Sequence, residues 1–148
     1  MKNRERGAFR VNPIAVVGGL GLIAIIVVML MIGKSPEEAA REFMTALSKG
    51  DVATLTRMSH LPDPEAPIEE QWRDTFENKA KNYVFAWQIQ GSEKMSDEEA
   101  VVKVMIVEYR GPELHENDIT NLPLTKRDGQ WKVNIRSLSR LFFPGLPR

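Results

Sequence analysis

Cysteine is absent from the 148 residues, which excludes disulfides, thiolate metal ligands and lipid attachment through a thiol. Histidine is scarce, and the spacing of His60 and His115 is not that of a metal site. A Gly-rich phosphate loop and a serine nucleophile motif are also missing. We therefore expect no metal and no cofactor, and we interpret both histidines as solvated loop residues.

Charged side chains are missing between Val11 and Gly33. The nineteen residues 14–32 would form a helix of about 28 Å, close to the apolar thickness of a bilayer. A buried core helix would be shorter and would carry a polar stripe. A cleaved signal peptide would have a shorter apolar run and an A-x-A cleavage site. The pattern therefore predicts a transmembrane helix at residues 13–33 that acts as a signal anchor.

Basic residues dominate residues 1–12, where Lys2, Arg4, Arg6 and Arg10 face a single acid. Positive charge beside a span stays in the cytoplasm, so we expect the N-terminus inside and residues 34–148 outside. A cysteine-free outer domain suits a bacterial envelope. The predicted location is the bacterial inner membrane, with a periplasmic or extracellular domain.

Small residues in the predicted span form a shallow notch: Ala15, Gly18, Gly19 and Gly21. Such a notch lets another helix approach closely, although glycine is common in membrane helices. We interpret it as a candidate face for helix packing.

The remainder of the chain holds sixteen basic and nineteen acidic residues, a net charge of about −3. A domain of that charge has no electrostatic reason to bind nucleic acid.

Three helices are predicted first. Ser35 is an N-cap followed by Pro36, and Gly50 ends the helix. Asp51 caps a shorter second helix, and a proline-rich connector follows. The third helix is expected at residues 68–81, where apolar side chains recur at intervals of four: Ile68, Trp72, Phe76 and Ala80.

From residue 83 onward the apolar period changes to two, which is typical of strands. Pro123 points to an edge strand or a bulge, and Asp128-Gly129 predicts a tight turn. Four strands are expected, at residues 83–89, 101–110, 119–126 and 131–135. The predicted fold class is α+β, with one N-terminal transmembrane helix and a domain of three helices packed on a curved four-stranded antiparallel sheet.

The stretches SPEEAAREFMTALSKGDVATL and DGQWKV resemble membrane-anchored envelope proteins of the nuclear transport factor 2-like superfamily. The resemblance covers most of residues 34–136 and implies a cone-shaped α+β domain, also used by ketosteroid isomerase. Its motifs are mainly structural, so it supports a fold more than a function. Enzymes of this fold place an acid, a Tyr or a His inside the cone. The candidates here are Glu108, Tyr109 and Asp74. Their spacing in the sequence does not place any two of them around one substrate. We therefore expect no catalysis.

Aromatic side chains on the third helix and first strand could line a pocket for a small apolar molecule. They could equally fill the cone. The candidate pocket residues are Trp72, Phe76, Phe85 and Trp87.

The C-terminal tail, residues 137–148, extends beyond the predicted fold and carries apolar surface that must be covered. It could fold onto its own sheet, enter a membrane interface or dock on another protein. The candidate docking residues are Leu138, Arg140, Leu141, Phe142, Phe143 and Leu146.

The leading functional hypothesis is a non-catalytic, single-span protein whose outer domain is a protein-interaction module, an accessory subunit of a larger membrane complex. Its expected partners are the membrane and other subunits of that complex. The alternatives are a small apolar-ligand-binding domain with a pocket in the cone and an enzyme of the same fold.

Overall fold

The computed structural model describes residues 33–110 and 118–148. Lys34–Arg148 forms one compact unit. The helix predicted at residues 13–33 lies outside the described residues except for Gly33, and so do its small residues Ala15, Gly18, Gly19 and Gly21.

The predicted membrane location is corrected by the helices that are described. The longest of them has 14 residues, and within residues 33–110 and 118–148 no helix has both the length and the apolar character needed to cross a bilayer. On this finding the prediction of an inner-membrane protein with an N-terminal transmembrane helix does not stand.

The first two helices begin and end where the sequence predicts. Helix α1 (Pro36–Lys49) has a capping box, in which the Glu38 N–H donates to Ser35 Oγ and the Ser35 N–H donates to the Glu38 carboxylate. Gly50 ends it with φ 68°, a left-handed conformation suited to glycine. Helix α2 (Val52–Met58) is capped by the Asp51 side chain.

The third helix is shorter than predicted because its hydrogen-bonding pattern changes. Helix α3 (Ile68–Asp74) continues directly into a π-helical turn (Thr75–Lys79), in which the Ala80 N–H donates to the carbonyl oxygen of Thr75. A π turn is wider than an α turn. It therefore changes which side chains share one face of this segment.

Within the described residues the sheet has five strands: β1 (Ser59–His60), β2 (Val84–Lys94), β3 (Glu99–Arg110), β4 (Ile119–Arg127) and β5 (Gln130–Asn134). Their order in the sheet is β1-β5-β4-β3-β2. A short 3₁₀ turn (Ile135–Ser137) follows the last strand. β1 runs parallel to β5, and the other pairs are antiparallel.

The predicted four-stranded antiparallel sheet was therefore wrong. Ser59 and His60 pair with Val133 and Asn134, which adds a fifth strand and makes the sheet mixed.

The predicted edge position of Pro123 has a local explanation. β5 pairs with β4 only from Leu124 to Arg127, so at Pro123 the register joins β4 to β3 alone. The missing N–H of proline is tolerated there.

The core lies between α1 and the inner face of the sheet. Phe43, Met44 and Leu47 of α1 are almost fully buried, as are Val104 and Leu122 on neighbouring strands. A buried polar chain joins α2 to α3, because the Trp72 indole N–H donates to Ser59 Oγ (3.0 Å) and that hydroxyl donates to the carbonyl oxygen of Leu55 (2.7 Å). A buried indole N–H needs such an acceptor.

We expect Ser59→Ala to lower the free energy of unfolding by about 1–3 kcal/mol, because it leaves the buried Trp72 N–H without its acceptor. The matched control is Ser48→Ala, which removes an exposed serine hydroxyl bonded to the carbonyl oxygen of Thr45. Guanidinium unfolding of the full-length chain measures both changes. Equal losses in the two variants would contradict the role given to Ser59.

Candidate functional site

Six aromatic rings meet at one end of the domain and form the aromatic cluster: Phe43, Trp72, Phe76, Tyr83, Phe85 and Phe143. Five of them belong to the helices and strands or to the start of β2. The sixth, Phe143, comes from the tail. Its ring centroid lies 4.9 Å from that of Tyr83, 5.8 Å from that of Phe76 and 5.9 Å from that of Phe85.

The tail is thus packed on its own domain, although its contacts are with α3, the π turn and the start of β2, whereas the first arrangement considered for it was folding onto the sheet. Leu138, Phe142, Phe143 and Leu146 are each at most 5% exposed. Fully burying an apolar side chain of this size contributes about 1.5–3 kcal/mol. Leu141 differs, because it is 71% exposed. The docking role predicted for the tail stays a prediction, and Leu141 is the apolar tail residue left at the surface.

Polar contacts fix the tail against α3. The Gln71 side chain accepts a hydrogen bond from the Arg148 N–H (2.6 Å) and donates to the Arg148 carbonyl oxygen (2.9 Å). The Glu65 N–H donates to the same oxygen (2.9 Å). The buried Thr75 hydroxyl contacts the carbonyl oxygen of Gly145.

The four predicted pocket residues are only partly brought together. Trp72, Phe76 and Phe85 lie in the aromatic cluster. Trp87 is half-buried on β2, opposite Ile106. Two clefts of about 500 and 650 Å³ lie along α1 and beside the tail, and none of the four residues lines either cleft.

Of the three candidate catalytic side chains, the structure describes only that of Asp74. Asp74 is an exposed partner of Lys79 (2.6 Å), and hydrogen bonds from Lys79 and then Asn78 hold the pKa of that carboxyl below its usual range. The side chains of Glu108 and Tyr109 lie outside the described residues, as does His115. Across residues 33–110 and 118–148, no three His, Cys, Asp or Glu side chains group closely enough to hold a metal ion.

His60 lies on β1 rather than in a solvated loop, and it is half-buried. Burial, followed by the charges of Arg127 and Lys132, lowers its pKa from the ordinary value of 6.5. The neutral imidazole is therefore the form that the folded protein favours.

Residues that sequence reasoning missed are Gln71 and Thr75. No local pattern indicates their contacts, since their partners Arg148 and Gly145 are far away in the chain. The signal available in the sequence was the spacing of Gln71 and Thr75, which lie four residues apart and directly precede the aromatic residues Trp72 and Phe76.

Comparisons with solved structures give neighbours of modest similarity. One, designated an NTF2-like transpeptidase from Campylobacter jejuni, is 18% identical with a TM-score of 0.47, covering 68% of this chain and 98% of its own. A SEC-C motif protein from Rhodopseudomonas palustris has the same identity and TM-score, covering 68% and 75%. A ketosteroid isomerase-like protein from Erwinia carotovora atroseptica has 18% identity and a TM-score of 0.46, covering 66% and 86%.

Two of these neighbours are named for the nuclear transport factor 2-like or ketosteroid isomerase-like class, the superfamily that the sequence resembles. Membrane anchoring is no part of that similarity. No protein-family model and no curated protein matches the chain. Identity and TM-scores at this level carry no conclusion about activity.

We expect stability to fall as the pH drops below about 6.5, because the unfolded chain then binds a proton at residue 60 that the folded state resists. His60→Gln should flatten this dependence between pH 7.5 and 5.5. The capping and ion-paired carboxylates have lowered pKa values, so they act only below about pH 4.5.

Guanidinium unfolding at several pH values measures this slope. His115 is present in both proteins, so its own contribution cancels. An unchanged slope in His60→Gln would show that residue 60 is not the group responsible.

Proposed function

We propose that this domain binds an apolar, aromatic-bearing ligand at the aromatic cluster, in the place that Phe143 of its own tail now fills. The observation that carries the proposal is which parts of the chain supply the six rings of the aromatic cluster. Five line the end of the helix-and-sheet body, and the ring that completes the cluster comes from the segment that follows the last strand and its 3₁₀ turn. The proposed role is binding without catalysis.

The contacts of Phe143 support this role. The ring is 2% exposed and lies against three other rings at centroid distances below 6 Å. Offset and edge-to-face contacts of this kind favour any aromatic group in that position, beyond the area it buries. A ligand with one aromatic group could therefore replace the ring without rearranging the body of the domain.

The polar surroundings of the cluster limit the ligand class. The nearby acids are surface groups, as the Asp74–Lys79 ion pair illustrates. An apolar cluster offers no counter-charge to a buried ion. We propose that the group bound there is uncharged.

We expect Phe143→Ala to bind the uncharged fluorescent dye N-phenyl-1-naphthylamine more tightly than the wild type, because removing the ring leaves an apolar cavity and removes the internal competitor. The substitution should also lower the free energy of unfolding by about 3–5 kcal/mol. Phe143→Leu, which keeps more of the side-chain volume, provides a milder test of the same site.

The matched control is Leu141→Ala, since Leu141 is two residues away and 71% exposed. It should change stability by no more than about 0.5 kcal/mol and leave dye binding unaltered. If Phe143→Ala loses stability but gains no dye binding over this control, the cluster is core packing only and the proposal fails.

A further inference from the structure

We propose that the ligand of this site is a peptide: a segment of a partner protein that carries an aromatic residue followed by Pro-Gly, with the protein's own tail as the resident competitor. This inference rests on the ligand binding proposed above and names its chemical class. It also accommodates the protein-interaction role that the sequence first suggested.

Gln71 binds the backbone N–H and carbonyl oxygen of Arg148, so these bonds do not depend on which side chain stands at position 148. Its side-chain amide accepts from the Arg148 N–H and donates to the Arg148 carbonyl oxygen, at 2.6 and 2.9 Å. The Glu65 N–H adds a second bond to that oxygen. One residue's N–H and C=O are therefore both paired, as they would be in a sheet. An apolar small molecule presents no such pair of groups.

At the position of Gly145 the site requires glycine. Its φ is +74°, and a Cβ added there would lie 2.5 Å from Lys79 Cδ and 2.9 Å from Lys79 Cβ. Its carbonyl oxygen contacts the Thr75 hydroxyl, whose single proton is shared between this oxygen and the carbonyl oxygen of Gln71. Only glycine satisfies both the left-handed backbone and the close approach to the Lys79 side-chain stem.

The π turn arranges these groups in one row. Gln71, Thr75 and Lys79 are spaced by four residues, and all three contact or adjoin the tail. In a continuous α-helix a spacing of four drifts by about 40° per step, whereas a π turn reduces the drift. π turns of this kind occur frequently at functional sites.

The tail itself has the form of a compact loop that could be supplied by another chain. Arg140 Nη1 donates to the carbonyl oxygens of Leu146 (3.3 Å) and Pro147 (3.0 Å), and the Phe142 N–H donates to the Ser139 carbonyl oxygen (3.0 Å). These bonds are internal to the segment. A loop that holds its own shape loses less conformational entropy on binding.

Space remains beside the bound segment. A cleft of about 650 Å³ runs along it, lined by Gln71, Lys79, Arg140 and Leu146 among others. A partner segment longer than the tail could extend along this cleft while its aromatic residue and Pro-Gly occupy the positions described.

The test uses the full-length Phe143→Ala protein as acceptor. The probe is a fluorescein-labelled synthetic peptide of residues 138–148 with an amidated C-terminus, so that the oxygen of residue 148 is an amide carbonyl oxygen. We expect saturable binding by fluorescence anisotropy. The peptide changes Phe143→Ala and Gly145→Ala should abolish it. The peptide change Arg148→Ala should leave it intact, because that residue is read through its backbone.

Gln71→Ala added to the acceptor should weaken peptide binding about tenfold, since two backbone bonds are lost. Gln88→Ala, an exposed glutamine on β2, is the matched control and should have no effect. Peptide binding that ignores both Gln71 and Gly145 would overturn the inference.

The remaining outcomes separate the two proposals. If the dye binds Phe143→Ala but the peptide does not, the peptide inference is wrong and the ligand site stands. If neither binds, both are wrong. If the wild type forms a dimer that the peptide dissociates, the occupant is the tail of a second copy, and a separate partner is ruled out.

Discussion

The packing of Phe143 against the body of the domain is the contact on which the rest of this end of the structure depends. Helix α3 with its π turn, the start of β2 and the tail each contribute rings to the cluster. Phe143 contacts one ring of the π turn, Phe76, and two at the start of β2, Tyr83 and Phe85. Phe143 thereby joins Phe76 to Phe85, two rings for which no direct contact with each other is described. The fold is therefore completed by a segment that lies outside its helices and strands.

The π turn after α3 determines which side chains share each face of the helical segment 68–79. One face keeps Trp72 and Phe76 within reach of the core, with ring centroids 6.1 Å apart. The adjacent row presents Gln71, Thr75 and Lys79 to the tail. A single change in backbone hydrogen bonding thus serves the apolar packing and the polar contacts together.

The parts of the fold that could be predicted are those determined by neighbours in sequence. The capping box at Ser35, the left-handed Gly50 and the turn at Asp128-Gly129 follow from local chemistry, and the structure has them. The pairing of Ser59 and His60 with β5 involves two residues and distant partners, so no periodicity indicates it. The apolar intervals of four from Ile68 to Ala80 were a readable sign of a wide turn that an α-helical interpretation overlooked.

The tail's apolar composition predicted that it needed cover, but composition alone does not choose between its own domain and a partner. Which segment occupies the site depends on how well a free partner segment competes with the attached tail. A covalently attached segment has an effective concentration in the millimolar range for short flexible links, so a free segment of equal intrinsic affinity displaces it only above that range. A ligand of the kind proposed would therefore have to bind more tightly than the tail. The cleft beside Gln71 and Lys79 offers additional surface from which that extra affinity can come.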